Sequence, residues 1–278
     1  MKAALRTGND ASWNTPDNGD IMSIAHRHFR AWWCVGTTVL ALFLFISYMA
    51  KSISQARSSA RALNGHCHAS IIALAVHNYA SSSTGHLPLA AAGQPPHSWR
   101  IKLLNFLDQA DLRRAYRPEV AWDVEPNAAL SREYLKICQV PHPLDSKRDA
   151  SGRYFTDFGL ITGPGTAFPA GGAVTLTEII NADGLGQTLI FGECSGLRIV
   201  WTEPRDPDVS REQIGIEVLS KPGQTSNRLL SGYMPDGVIT AFQDCSARVL
   251  SKKIDLKVLK ALCTFDGNET INQSDYLR

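Results

Sequence analysis

The chain has 278 residues, of which 44% are hydrophobic and 19% are charged, and its 28 Lys and Arg against 26 Asp and Glu give a formal net charge of +2. This composition excludes a chain that is disordered throughout, and the balanced charge excludes the strongly basic footprint of a nucleic-acid-binding protein. Six cysteines in a chain of this length also exclude a small disulfide-rich scaffold. We therefore expect one large or two small folded units and no nucleic acid among the partners.

An uncharged run covers residues 31–50, between Arg30 and Lys51. A helix of that length spans roughly 30 Å, the thickness of the hydrocarbon core of a bilayer. Two tryptophans lie near one end of the run and Tyr48 near the other, as expected at the two membrane interfaces. A cleaved signal sequence has a shorter apolar region followed by a small-residue cleavage site, and neither feature is found here. We predict an uncleaved, single-pass transmembrane helix that acts as a signal anchor in the cell membrane.

The segments on either side of the anchor are predicted to lie on opposite sides of the membrane. Residues 1–30 are rich in Asn, Asp, Gly and Ser, which predicts a disordered cytoplasmic arm. Basic residues flank both ends of the run, so the positive-inside rule does not decide the orientation, but long domains cross membranes largely regardless of charge. We therefore place residues 51–278 on the exported, periplasmic side as one folded domain.

The helical pattern continues beyond the anchor, through residues 51–79. Residues on one face recur there at steps of three and four, and we predict that this face packs on the later domain. The face consists of Ile53, Ala56, Ala60, Leu63, Cys67, Ile71, Leu74 and Asn78. Gly65 could permit a bend in the helix. Three histidines lie near Cys67, but helical residues one or two apart point away from each other, so no metal site is predicted.

The elements that follow have an order typical of an α+β fold, with helix first and strands later. Ser98 and Asp255 are candidate helix caps, and a further helix is predicted over residues 128–137. Short apolar or β-branched runs separated by Gly, Pro, Asn and Asp predict antiparallel strands. These runs cover residues 154–161, 173–179, 187–193, 197–202, 238–242 and 247–250, and the last two flank a predicted hairpin turn.

The motifs that resemble catalytic signatures are incomplete. The glycine-rich segment over residues 163–166 lacks the Lys-Ser/Thr ending of a phosphate-binding loop. Ser195 lacks the flanking glycines of a nucleophile elbow, because Glu193 and Leu197 occupy those places. We therefore predict that the protein is not an enzyme and that it has no catalytic residues, cofactor or metal ion.

The segment over residues 201–206 concentrates aromatic and charged side chains, and it has two interpretations. It is either a strand that ends at Pro204, with Arg205 paired to a neighbour, or a recognition surface, since aromatic and Arg residues dominate binding hot spots. Under the second interpretation the candidate partner-binding residues are Trp99, Arg100, Trp122, Trp201, Glu203 and Arg205.

Several short segments occur in a recognisable order over about residues 50–270. They include Gln55-Ala56-Arg57, Leu74-Ala75-Val76-His77-Asn78-Tyr79, Ser98-Trp99-Arg100, Leu107-Asp108-Gln109, Trp122-Asp123, Gly163-Pro164-Gly165-Thr166, Asp183-Gly184 and Trp201-Thr202-Glu203-Pro204. Together they resemble the bacterial family of proteins of unknown function DUF1559, whose members usually begin with a prepilin-type membrane helix. The resemblance implies a pilin-like α/β roll, in which the N-terminal transmembrane helix continues into a long amphipathic helix packed on an antiparallel sheet. It implies no known catalytic activity.

The resemblance also implies a disulfide bridge between Cys67 and Cys138, because both positions carry Cys in the family and disulfides persist on the exported side. Cys194 and Cys245 form a second candidate pair.

The chain departs from the family pattern in two places. The prepilin cleavage sequence is missing at the start of the membrane helix, so the resemblance does not extend to filament assembly.

The second departure lies near the C-terminus, where Met234 occupies a position usually held by His and Asp244-Cys245 replaces Asp-Gly. Loss of that glycine removes the residue best suited to a positive φ in a tight hairpin. We therefore expect a turn of another type or a strained one.

These features predict a membrane-anchored structural or interaction protein that resembles pilins and pseudopilins and forms part of an envelope or secretion-related assembly. Its expected partners are the lipid bilayer and either an unidentified protein or further copies of itself. The alternative is a membrane-tethered binding module for a carbohydrate or small solute, which would use the region of Trp99, Trp122 and Trp201.

Overall fold

The computed structural model describes residues 18–142, 147–221, 223–267, 269 and 271–276. They divide into two compact units, one ending at Ser58 and the other beginning at Ser59. Of the predicted disordered arm, residues 1–17 lie outside the described residues, whereas residues 18–30 already belong to the first helix.

One long helix and five short ones make up the α-helical part of the described residues. They are α1 (Asn18–Ser82), α2 (Trp99–Leu103), α3 (Ala110–Ala115), α4 (Asn127–Leu130), α5 (Leu176–Asn181) and α6 (Leu256–Cys263). Single turns of 3-10 helix cover Leu104–Phe106, Lys136–Cys138, Ser195–Leu197 and Gln273–Asp275.

Eight strands form three sheets in the described part of the chain. They are β1 (Ala91–Ala92), β2 (His97–Ser98), β3 (Phe158–Leu160), β4 (Leu189–Glu193), β5 (Gln213–Val218), β6 (Arg228–Gly232), β7 (Gly237–Phe242) and β8 (Ala247–Ser251). The largest sheet has the order β3-β4-β7-β8, and all its neighbouring strands are antiparallel. This confirms the predicted α+β class with a long N-terminal helix and an antiparallel sheet.

The first unit consists of the N-terminal part of α1, and its apolar side chains face outward. Phe43 is 66% exposed, and the tryptophans and leucines of the run are exposed to similar degrees. By length and composition, α1 has a stretch apolar enough to cross a membrane, and none of its most apolar window is buried within the protein. The helix therefore fits the predicted transmembrane segment.

In the second unit the C-terminal turns of α1 pack against the sheet. Ala69, Ile72 and Val76 are buried in one hydrophobic core with Phe191 of β4 and Ile239 of β7. Full burial of a side chain such as Ile72 contributes about 1.5–3 kcal/mol to stability. The helix is therefore fixed to the domain by its inner face.

Strand β7 lies between β4 and β8 in the largest sheet and is buried on both faces. Because side chains alternate along a strand, Ile239 points toward the core that contains α1. Its neighbour Val238 belongs to a second core with Leu259 and Leu262 of α6. The sheet thus separates two apolar layers, one under α1 and one under α6.

The face of α1 that packs on the sheet is not the predicted one. The predicted face points outward, with Leu63, Ile71 and Leu74 between 47% and 64% exposed. The buried face instead carries small residues such as Gly65 and Ala69, with the larger Ile72 and Val76. Both faces recur at steps of three and four, and small side chains allow the sheet to approach closely.

Gly65 illustrates this close approach. A Cβ atom there would lie 2.4 Å from Cδ1 of Ile239 and 3.3 Å from Cγ1 of Val140. The residue lies inside the uninterrupted helix α1, where glycine is less favourable than alanine. A larger side chain would prevent the helix and the sheet from coming this close. Close packing, rather than the predicted bend, accounts for this glycine.

The predicted hairpin near the C-terminus is confirmed by the antiparallel pairing of β7 and β8. Cys245 adopts a φ of 62°, so the position keeps the left-handed conformation although it is no longer glycine. Asp244 supports the turn, since its Oδ1 accepts a 2.9 Å hydrogen bond from the Ser246 amide and its Oδ2 lies 2.7 Å from Nη2 of Arg248. The turn is therefore the strained alternative of the two expected.

Two other predicted strands differ in the structure, and one pair of strands was not expected. Residues 173–179 do not form a strand, because Thr175 and Glu178 form a capping box that starts α5. Residues 197–202 do not form a strand either, because Leu197 ends the 3-10 turn Ser195–Leu197 and Val200 makes only an isolated bridge to Phe155. The parallel pair β5 and β6 was not predicted at all.

The caps Ser98 and Asp255 are confirmed, since each side chain accepts a backbone N–H in the first turn of its helix.

Candidate functional site

The predicted residues Trp99 and Arg100 lie inside the domain, in the first turn of α2 that Ser98 caps. Trp99 Nε1 and Arg100 Nη2 both donate to Oδ1 of Asp206, at 3.0 and 2.8 Å, and the amide of Leu160 donates to the same atom at 3.0 Å. The side chains of Arg100 and Asp206 are 1% and 2% exposed. This ion pair connects α2 with the segment after Pro204.

Further contacts complete the environment of this ion pair. The Trp99 ring stacks on Phe191 with 6.5 Å between ring centroids, and the Arg100 guanidinium lies 4.7 Å from the Trp99 centroid. Nη2 of Arg100 also donates to the carbonyl of Phe158 at 2.7 Å. Burial raises the pKa of the Asp206 carboxyl, and the Arg100 guanidinium opposes that rise. The cluster connects α2 with β3 and with the segment after Pro204, and it buries Trp99 and Arg100, two of the predicted partner-binding residues.

The segment over residues 201–206 divides between interior and surface. Trp201 is fully buried, and its amide donates to the carbonyl of Tyr154 at 3.1 Å. Glu203 and Arg205 are partly exposed and form an ion pair of 2.6 Å. Arg205 also donates to the carbonyl of Leu197 at 3.2 Å. The pairing of Arg205 with a neighbour agrees with the structural interpretation of this segment.

Trp122 lies in a different part of the chain, in the turn region before α4. It is partly buried, and the guanidinium of Arg153 lies 5.5 Å from the centroid of its ring. Arg153 is held in turn by Asp149 at 2.7 Å. Because Trp99 and Trp201 are buried, the three tryptophans do not form the concave binding surface that the carbohydrate alternative requires.

A cleft of about 600 Å³ does open next to Arg205. Its walls include Thr162, Asp206, Asp208 and Arg211, and the glycine-containing segment 168–172 forms another side. Asp208 and Arg211 form an ion pair of 3.3 Å. The volume suits a small solute, since ligand pockets usually measure about 300–1,000 Å³.

A second buried polar cluster surrounds Asp157, and sequence reasoning missed it. Its Oδ1 accepts a 2.8 Å hydrogen bond from the Ser195 hydroxyl, and its Oδ2 lies 3.0 Å from Nζ of Lys147. Glu193 at the end of β4 is fully buried, and one of its carboxyl oxygens, Oε2, accepts a 3.3 Å hydrogen bond from the amide of Ile239. The one sequence signal for this cluster is Glu193, a single glutamate at the end of an otherwise apolar strand.

Burial raises the pKa of Glu193 to about 8, and the nearby Asp157 carboxylate adds to the rise. The carboxyl is therefore largely neutral at pH 7. The Ser195 hydroxyl donates to the Asp157 carboxylate, whereas a serine nucleophile is usually activated by a histidine. Among the described residues, no group of three or more His, Cys, Asp or Glu side chains is arranged to hold a metal ion.

The five cysteines whose side chains the structure describes are free thiols. The predicted bridge between Cys67 and Cys138 is not formed, nor is that between Cys194 and Cys245. The chain segments are adjacent, since His68 Nδ1 lies 2.8 Å from the carbonyl oxygen of Gln139, but Cys67 is exposed on the outer face of α1. Cys138 lies in the core, where burial raises the pKa of its thiol to about 12.

Comparison with protein families gives a match over residues 54–224 to the family described as "Protein of unknown function (DUF1559)". The matched region contains both buried polar clusters and the end of α1, whereas strands β6 to β8 follow it. No curated protein and no solved structure matches the chain.

Proposed function

The chain belongs to the DUF1559 family, and on that premise we propose that it is a membrane-anchored structural or interaction protein that resembles pilins and pseudopilins. The observation that carries this proposal is the uncharged run over residues 31–50, whose apolar side chains are exposed on a helix. Exposed apolar surface of this extent is unfavourable in water, and each large apolar side chain gains about 1.5–3 kcal/mol on burial. A bilayer provides that burial.

In this proposal the second unit lies on the exported side of the membrane. The buried ion pairs Arg100–Asp206 and Lys147–Asp157 and the hydrogen bond from Ser195 to Asp157 connect its elements, which supports a structural role rather than catalysis. In this proposal the protein is a component of an envelope or secretion-related assembly, and it has no enzymatic activity. Its contacts are the lipid bilayer and other proteins of that assembly or further copies of itself.

Alkaline carbonate extraction of membranes tests the anchor. We expect the full-length chain to remain in the membrane pellet. The double variant Leu42→Arg and Phe45→Arg should move the protein to the supernatant, because each arginine near the helix centre costs about 2.5–3.5 kcal/mol on insertion. Ser54→Arg, an exposed position beyond the run, is the matched control and should stay in the pellet.

Two results would contradict the anchor. Full-length protein in the supernatant would show that the run does not span, and a shortened soluble chain would show that it is a cleaved signal sequence. Digestion of the domain by protease added outside intact spheroplasts tests the exported orientation. Protection of the domain in that assay would place it in the cytoplasm.

Binding of a small solute is a second candidate function, favoured by the cleft beside Arg205. Guanidinium and carboxylate groups on its walls suit a hydroxyl-rich, anionic sugar acid. We expect millimolar glucuronate to raise the thermal unfolding temperature, by more than glucose does, and Arg211→Gln to reduce the shift. A ligand at 100 times its Kd adds about 2.7 kcal/mol to the free energy of unfolding. Thermal unfolding curves that are equal with and without either sugar would therefore exclude this candidate for those ligands.

A further inference from the structure

The outer face of α1 in the second unit is apolar where a solvent-facing helix normally carries charge. We call the residues Ala60, Leu63, Cys67, Ile71 and Leu74 the outer stripe, and all five are exposed. Leu63 is 64% exposed and Leu74 is 53% exposed. In the sequence, residues 62–82 contain no Lys, Arg, Asp or Glu. The stripe is thus a continuous, uncharged apolar surface rather than a set of scattered apolar residues.

The spacing of the outer stripe is that of a helix–helix seam. Its members are separated by steps of three and four that average about 3.5 residues, the repeat of a left-handed coiled coil. Its length is roughly 20 Å at 1.5 Å per residue. Asn64 and Asn78, which are exposed beside and beyond the stripe, provide the polar rim usual at an interface. The inner face of the same helix is already covered by the sheet, so one side of the helix is open for a partner.

We infer that the outer stripe binds the outer stripe of a second copy of this chain, as a parallel helix pair. The inference rests on the proposed membrane anchor. In every copy, α1 leaves the membrane on the same side and its chain runs in the same direction. The stripe also begins the same number of residues after the anchor in every copy. Equivalent residues therefore meet at the same height, so Leu63 faces Leu63 and Cys67 faces Cys67.

The chemistry of the stripe suits a copy of itself. An uncharged apolar surface does not repel an identical surface, whereas a charged partner would gain no ion pair from it. The helix is already folded by its packing on the sheet, so pairing carries no cost of helix nucleation. A seam of two heptads buries little area, and we expect it to need the high effective concentration that confinement to a membrane provides.

Cys67 is a natural reporter of this pair, because it lies in the middle of the stripe and is the exposed member of the five cysteines described. The experiment uses the full-length chain in native membranes, with Cys34→Ser and Cys245→Ser to remove the cysteine of the apolar run and the half-buried one. Dioxygen with copper phenanthroline oxidises two thiols to one disulfide, and the two electrons and two protons pass to the oxidant. We expect a covalent dimer of twice the monomer mass within minutes.

Two variants separate the pair from random collision. In the same background, Cys67→Ser with Lys257→Cys moves the thiol to an exposed position on α6, and we expect at least tenfold slower cross-linking. Leu63→Glu with Ile71→Glu should slow cross-linking of Cys67 by a similar factor while leaving the unfolding temperature nearly unchanged, because both side chains are exposed. The rate of maleimide labelling of Cys67 checks that its thiol stays equally reactive.

The outcomes distinguish this inference from the proposed function. If the protein stays in the carbonate pellet but Cys67 cross-links no faster than the cysteine at position 257, the pairing is wrong and the anchor stands. A cross-linked product of any mass other than twice the monomer would assign the stripe to another protein. Release of the full-length chain by carbonate would instead overturn the anchor, and with it the reason for parallel pairing.

Discussion

Replacing Arg100 by Met is expected to destabilise the domain by about 3–5 kcal/mol, because it leaves the buried Asp206 carboxylate without its counterion. The guanidinium bonds Asp206, Ser98 and the carbonyl of Phe158, so its loss also leaves buried acceptors unpaired. Urea unfolding of the full chain in detergent micelles measures the effect. The fluorescence of Trp99 and Trp201, both buried, follows the transition.

The matched control is Arg132→Met, which removes a 3.0 Å ion pair with Glu125 whose side chains are 48% and 58% exposed. Solvent screening makes such a pair worth about 0–1 kcal/mol. Adding Asp206→Asn to Arg100→Met should recover part of the lost stability, since the uncompensated charge disappears. If Arg100→Met and Arg132→Met have equal effects, the buried ion pair does not hold the domain together.

Replacing Glu193 by Gln is expected to change how stability depends on pH. The folded protein keeps a proton on Glu193 up to a pKa of about 8, whereas the unfolded chain loses it near the ordinary value of 4.5. Between these two values the folded state binds more protons than the unfolded state, so stability is full below pH 4.5 and falls as pH rises toward 8. The slope is about 1.4 kcal/mol per pH unit.

A neutral glutamine removes this slope while keeping the shape of the side chain. We expect Glu193→Gln to have stability close to the wild type at pH 5 and to be several kcal/mol more stable at pH 9. Glu125→Gln changes an exposed carboxylate and serves as the control, with unfolding curves that keep the wild-type pH dependence. A wild-type protein whose free energy of unfolding is flat between pH 5 and 8 would contradict the assignment of a buried neutral carboxyl.

Local features of the fold followed directly from the residues. Ser98 and Asp255 begin helices because a short polar side chain accepts the first free backbone N–H groups, and this needs no distant partner. The hairpin of β7 and β8 follows from two apolar runs on either side of a short polar turn. The strand predicted over residues 173–179 failed for an equally local reason, because the capping box of Thr175 and Glu178 outweighed the β-branched composition.

The predicted partner residues show where sequence reasoning reaches its limit. Tryptophan and arginine dominate binding hot spots, but the same side chains fill cores when a carboxylate lies nearby. Trp99 and Arg100 meet Asp206 across more than a hundred residues of chain, and no local pattern indicates that encounter. Only Glu203, Arg205 and part of Trp122 remain at the surface.

The sequence by itself determined the uncharged run over residues 31–50, the family, the α+β class and the helical periodicity of residues 51–79, because these depend on composition and local spacing. The tertiary structure decided which face of α1 is buried. Both faces carry apolar residues at the same period, and only the sheet selects between them, since Gly65 and Ala69 let Ile239 approach where Leu63 and Ile71 would not. That selection leaves the outer stripe exposed and available to a second copy.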